Sequence, residues 1–227
     1  MSTLAQFRTE ISNVLGLTTG AGDDQDFIDA RVNEGVAKVL TRTSCKVLPA
    51  TMTLTAASAN YTLSTSILSV IDVYLVGAAT SEASQLARVT PAEMLGLRAR
   101  NPIADSPVRR YAVDGGNLLM IYPTPTAADV IHLLYVPRPT TLASGTDTPS
   151  EVPAEWHDLV SYYALFRCAD YDDDASSQMG DRYRALYEQG LLDMKKALNR
   201  FGGHRLAPAV VNRRRRVLVP HDPSADW

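Results

Sequence analysis

Apolar residues recur every three to four positions at both ends of the chain and lose that period in the middle. Leu4, Phe7, Ile11, Val14 and Leu15 form one helical stripe, and Gly16 stands where a C-terminal cap belongs. After a loop that begins at Thr18, a second helix starts at Asp23 or Asp24, whose carboxylates suit the positive end of a helix. It carries Ile28, Val32, Val36, Val39 and Leu40 on one face. From Val47 the pattern turns extended. Val47 to Thr55 and Asn60 to Leu63 are short strand-like runs, Ile67 to Val76 is rich in β-branched residues, and Gln85 to Val89 adds one more strand.

Thr90-Pro91-Ala92-Glu93 is a capping box with proline at the first helical position, so a short helix runs from there to Arg100 and ends at Asn101-Pro102. Val108 to Val113 and Asn117 to Tyr122 flank the turn Asp114-Gly115-Gly116 as a hairpin, and Asp129 to Val136 is a further strand. Pro137 to Pro153, with four prolines, reads as an ordered surface crossing. Helical period then returns. Trp156, Leu159, Val160, Tyr163 and Phe166 form a stripe that ends near Ala169, and Tyr171-Asp-Asp-Asp-Ala-Ser-Ser is the turn that follows. A long helix from Ser176 to Phe201 has Met179, Tyr183, Leu186, Tyr187, Leu191, Met194, Leu198 and Phe201 on its inner side, with Gly202-Gly203 as the stop.

Two amphipathic helix pairs at the ends bury their stripes most economically against each other. The expected fold is therefore α+β, an antiparallel bundle of four main helices with an inserted, mostly antiparallel β region and an extended C-terminal arm. Residues 1–46 and 150–202 make the bundle, 47–149 the β region with one short helix, and 203–227 the arm.

Composition changes this picture little, but charge does. The 227 residues are 45% hydrophobic and 21% charged, ordinary globular usage and about one and a half domain lengths. The net charge of −3 argues against a protein that binds nucleic acid over its whole surface. It conceals a segregation. Residues 203–227 hold five arginines against Asp222 and Asp226, a net +3, which leaves −6 on residues 1–202. No signal peptide is expected from the first residues, and the most apolar segment, Ile67 to Val76, is too short to span a bilayer. Cys45 and Cys168 lack metal-ligand neighbours and read as buried, reduced thiols.

Catalytic patterns are absent. Gly16, Gly20 and Gly22 lack the spacing and preceding strand of a phosphate loop, and no Ser, His and Asp suggest a triad. His132, His157, His204 and His221 are dispersed, and His157 with Asp158 reads as the polar face of a helix start. A metal-dependent hydrolase requires Asp23 or Asp24 to converge with Asp172 to Asp174, which lack the ligand spacing of a calcium loop. The expectation is no enzyme, no cofactor, no catalytic residues and no metal site. The tail is the remaining candidate: Arg205, Arg213, Arg214, Arg215 and Arg216, then the β-prone Val217, Leu218 and Val219, and Trp227 at the end. Guanidinium groups pairing with a partner's carboxylates, and a short apolar strand adding to a sheet edge, make a docking arm.

Five stretches resemble the head-to-tail connector (adaptor) proteins of tailed bacteriophages: Leu118-Leu-Met-Ile-Tyr-Pro-Thr-Pro, Leu134-Tyr-Val-Pro-Arg-Pro-Thr-Thr-Leu, Val152-Pro-Ala-Glu-Trp-His-Asp-Leu-Val, the acidic turn Tyr171-Asp-Asp-Asp, and Arg182-Tyr-Arg-Ala-Leu-Tyr-Glu-Gln-Gly-Leu-Leu-Asp-Met. The resemblance implies a structural virion protein of the neck between capsid and tail, made in the host cytoplasm. It implies a homo-oligomeric ring, usually of twelve copies, beneath the portal protein, with the arm reaching the portal. Tail or stopper proteins are further partners, and DNA passes through the channel without sequence-specific binding and without a membrane. The alternatives within the neck are a stopper or tail-terminator ring; outside it, a DNA-binding module that uses the arginine cluster.

Overall fold

The structure is a computed structural model and describes residues 2–16, 23–76, 83–115, 117–169 and 177–201. The chain is α+β. Helix α1 (Leu4–Leu15) is followed by α2 (Asp23–Thr43), then five strands: β1 (Leu48–Thr53), β2 (Asn60–Thr62), β3 (Ile67–Val76), β4 (Ala83–Gln85) and β5 (Ala87–Arg88). Helix α3 (Pro91–Arg100), β6 (Arg110–Asp114), β7 (Leu118–Tyr122) and β8 (Val130–Pro137) come next, before a 3-10 turn at Ala154–Trp156 and helices α4 (His157–Ala169) and α5 (Ser177–Phe201).

Local signals set the element ends. Gly16 closes α1 in the left-handed region at φ 68°, donating to the Ser12 carbonyl, and Thr3 with Gln6 opens it as a reciprocal capping box. Thr90 and Glu93 do the same for α3, with Pro91 in the first turn. Two more first-turn amides of α1 are satisfied by the 138–153 crossing, Leu4 N donating to the Asp147 carbonyl at 2.9 Å and Ala5 N to that of Gly145 at 3.0 Å. The crossing is held from the other side by Asn33, which accepts from Leu142 N at 2.7 Å and donates to the Leu142 carbonyl at 3.1 Å.

Helices α1, α2, α4 and α5 share one hydrophobic core, which includes Phe7, Val36, Val160, Tyr163, Tyr187 and Met194, and α4 packs against the other three. Gly35 lets α2 approach α4 closely: a Cβ there would lie 3.1 Å from the Tyr163 ring and 3.3 Å from the Val160 carbonyl. Leu142 and Val152 of the crossing complete this core, so the ordered surface crossing expected between Pro137 and Pro153 also buries two side chains.

The β region is a sandwich of two four-stranded sheets, ordered β1-β8-β3-β4 and β2-β7-β6-β5, with β5 and β6 the one parallel pair among the described strands. Its interior holds Val70, Val73, Ile131 and Leu133 from the first sheet and Tyr111, Leu119 and Ile121 from the second. The expected single strand from Gln85 to Val89 is instead two, because Leu86 turns inward between them; β4 pairs with β3 and β5 with β6, so this run crosses from one sheet to the other and closes the sandwich edge.

Strand β3 joins the two cores. Ile67 pairs with Pro137 and Ser69 with Val136, then Val70 with Tyr135 and Asp72 with Leu134, so Leu68 and Ile71 are the extra residues of two β-bulges. Both point to the helical core, together with Val136, while Ile67, Val70 and Val73 face the sandwich. The Ile71 carbonyl accepts from the Tyr111 hydroxyl at 3.2 Å, and burial pushes that phenol up to about 12. Helix α3 covers the outer face of the second sheet, where Met94 packs on Ala112 and Met120.

Three sequence expectations need correction. Met179 and Leu186 are exposed, at 37% and 39%, because they sit on the flank of α5 whose buried stripe is Tyr187, Leu191 and Met194. Cys168 is buried, but Cys45 is only half-buried, its Sγ lying 3.7 Å from the Glu151 carbonyl; both are free thiols. His157 is buried rather than on a polar face: its Nδ1 accepts from Ser2 N at 2.9 Å, which leaves Nε2 to donate to the Val152 carbonyl at 3.1 Å. The turn expected from Tyr171 and the stop at Gly202-Gly203 lie outside the described residues.

Arg98 fastens α3 to the sandwich. Its Nη2 donates to the carbonyls of Ala59 at 2.6 Å and Ile121 at 3.0 Å, and its Nη1 to Asn60 Oδ1 at 2.9 Å. Arg98→Met is expected to lower the unfolding free energy by about 2 kcal/mol, the scale of stranding a buried acceptor. Arg100→Met, on the exposed side of the same helix, is expected to change it by less than about 0.5 kcal/mol. Urea unfolding of both variants checks this, and equal losses would remove Arg98 from that role.

Candidate interaction surfaces

The docking arm expected from the sequence, Arg205, Arg213, Arg214, Arg215, Arg216, Val217, Leu218, Val219 and Trp227, lies outside the described residues, as do Asp172 to Asp174. Among the described residues no group of three or more His, Cys, Asp or Glu side chains is arranged to hold a metal ion, and no helix is long and apolar enough to cross a membrane.

Several half-buried polar groups of the helices are held in structural contacts. Glu34 of α2 accepts from the Tyr163 hydroxyl at 2.6 Å and from Arg31 Nη1 at 2.8 Å, with Arg167 Nε 4.0 Å away. Burial works against the Glu34 carboxylate, yet the hydrogen bonds from Tyr163 and Arg31 and the nearby guanidinium charges together hold it below its ordinary range. The same burial and the same partner push the Tyr163 phenol up. Arg8 clamps Asp29 through two nitrogens, Nε at 2.7 Å, and ties α1 to α2. The Cys168 thiol is pushed up to about 11 by burial, so it is not a poised nucleophile.

Two surfaces remain with unspent chemistry. The first lies on α3 and the edge of the second sheet. Sequence reasoning passed over it, although five of the six arginines in residues 47–149 fall between positions 88 and 110, at 88, 98, 100, 109 and 110. Arg98 is used internally; the other four are exposed. Val89, Ala92, Gly96 and Leu97 line an open groove together with Glu93, Arg100 and Arg110; Leu95 and Ile103, outside that lining, are 57% and 47% exposed. Counter-charge is sparse. Glu93 is taken by its cap, where the Thr90 amide and then its hydroxyl hold the carboxylate below its usual range, and Asp105 lies 3.9 Å from Arg109.

The second surface is made by α1, α4 and α5. The Tyr162 phenol is pushed up first by burial and then by the carboxylates of Asp158 and Glu10. Glu10 accepts from the Ser161 hydroxyl at 2.7 Å, and Tyr162 lies against Tyr183 with ring centroids 6.0 Å apart. The exposed Met179 and Leu186 flank Tyr183 one turn to either side. No ion pair among the described residues engages Glu10 or Asp158. This surface is therefore acidic with an aromatic and aliphatic border, and the first is basic with an apolar floor.

A family model described as SU10 adaptor protein matches residues 2–214. No curated protein matches the chain.

The Glu34 cluster gives a pH signature. A carboxylate whose folded value is depressed stabilises the fold above its unfolded value, and that contribution is lost as pH falls through the folded value. Glu34→Gln is expected to lower stability at neutral pH by about 1–2 kcal/mol, the scale of two weakened hydrogen bonds to a half-buried charged acceptor. The gap from the unsubstituted protein should narrow as pH falls below ~4.3, the unperturbed glutamate value. Thermal unfolding across that range measures it; a gap that stays constant into acid would remove the charge from the account.

Proposed function

The chain belongs to the SU10 adaptor protein family, structural adaptors of the phage neck, and from that membership we propose that it is the head-to-tail connector that docks on the portal, assembles as a ring, and passes the genome through its channel. The observation that carries this reading is the extent of the family match. It runs from residue 2 to residue 214, through both helix pairs, both sheets and the crossing, and on past the end of α5 to Arg205, Arg213 and Arg214. That the match extends into the beginning of the basic segment supports the arm's part in this reading.

Charge supports the same reading. A body of net −6 suits a channel wall for DNA, because like charge keeps a polyanion from adhering as it passes. The arm is the oppositely charged part, and its arginines pair with carboxylates on the portal while the Val217-Leu218-Val219 run adds to a sheet edge or fills a groove there. The chemistry required is recognition alone: no bond is made or broken.

A chain truncated after Gly203 is expected to keep the circular dichroism and melting behaviour of the whole protein while losing co-sedimentation with portal particles. Electron micrographs of the full chain with portal should show rings on the portal vertex. Binding that survives the truncation undiminished refutes the arm as the docking element, and portal particles without rings refute the connector reading.

A further inference from the structure

The two surfaces with unspent charge are complementary in sign and both carry exposed apolar side chains, yet they belong to different parts of one chain. The basic groove sits on α3, the outermost layer of the β region, with Arg100 and Arg110 in its lining. The acidic surface sits on the helices, with Glu10 and Asp158 around Tyr162. We infer that these two surfaces bind each other between copies: the α3 groove of one subunit takes the Glu10–Asp158–Tyr162 surface of the next.

Three observations point to a second copy as the occupant. The groove offers cations and an apolar floor, and the chain's own helical surface offers two exposed carboxylates outside any ion pair among the described residues, bordered by Met179 and Leu186, so charge and hydrophobicity match in one pairing. Within the subunit each surface is only partly offset: Glu93, held by the Thr90 cap, is the one carboxylate lining the groove against Arg100 and Arg110, and no ion pair among the described residues engages Glu10 or Asp158. Finally, the two surfaces rest on separate hydrophobic cores, one on the α3–second sheet cluster and one on the helical cluster. A contact between two different patches is heterologous, so each added copy leaves one groove and one acidic surface free, and the chain of contacts ends only by closing into a ring. The inference rests on the ring reading above and names the surfaces that build it.

Exposed charges interact over about 10 Å at 0.1 M salt and less above that, so the contact weakens as salt rises. The test uses the full chain in sedimentation velocity at rising protein concentration, in low and high salt. One variant carries Arg100→Glu and Arg110→Glu; the other carries Glu10→Arg and Asp158→Arg. Circular dichroism first establishes that each is folded. The unsubstituted chain is expected to form species larger than the monomer in low salt that dissociate in high salt, and each variant alone is expected to sediment as a monomer. An equal mixture of the two variants restores assembly, because each reversed surface then meets an opposite one on its neighbour.

An unsubstituted chain that stays monomeric at every concentration in low salt overturns the inference. So do assemblies that either variant leaves intact, or a mixture that restores nothing, the last meaning that the groove serves a different partner. The connector reading is judged separately, on portal particles. Rings that form there from both variants would leave that reading standing and remove these two surfaces from it.

Discussion

Strand β3 has to serve two hydrophobic cores at once, and the rest of the architecture follows from how it does so. A regular strand sends alternate side chains to two faces, which would give each core one residue in two along the whole length. The helical core needs side chains only near the start of β3, where Val136 of β8 also arrives. The two bulges meet that need by adding Leu68 and Ile71 on the helical side, while Ile67, Val70 and Val73 stay on the sandwich side. The bulged backbone at Ile71 is then secured across the sandwich by the Tyr111 hydroxyl. Because the helical core meets the first sheet at one end only, the second sheet and α3 are left as outer layers, and the α3 surface faces away from the helices.

Much of this could be read from the chain and some could not, for reasons that differ by element. The stripes of α1 and α2, the Thr90–Glu93 capping box and the strand run from Ile67 to Val76 carry strong periodic or capping signals, and each element forms where those signals put it. The bulges left no trace, because a run as uniformly apolar as Ile67 to Val76 looks the same whichever core each residue enters. Leu86 was an unremarkable strand residue in sequence; only the pairing of its neighbours with two different sheets reveals a crossing. Met179 and Leu186 keep helical spacing with the buried stripe yet lie on its flank, so periodicity alone counts them as core.

Polar residues were harder still. His157, Asn33 and Arg98 each satisfy backbone groups far away in sequence, Asn33 reaching Leu142, His157 reaching Ser2 and Arg98 reaching Ala59, and no local pattern announces such partners. The arginines between positions 88 and 110 were visible as a count but not as a surface. Arg98 turned inward, which separates the structural guanidinium from the four that face out.

A buried polar group that is already paired lowers the energy of one arrangement and offers nothing to a partner, and this holds for Glu34 with Tyr163 and Arg31 and for Arg8 with Asp29. What remains free is the charge that folding did not need. The −6 of the body is not spread evenly: the β region from 47 to 149 carries six arginines against seven acidic residues, close to neutral, and most of its cations gather at α3. The surplus of carboxylates falls in the helical segments, four of them, Asp170 and Asp172 to Asp174, outside the described residues; among the described ones Glu10 and Asp158 stand beside Tyr162. A subunit with exposed cations at α3 and exposed carboxylates at Tyr162 carries two patches of opposite sign. Identical subunits of this kind gain most by arranging themselves head to tail, whereas like surfaces brought face to face would set charge against charge.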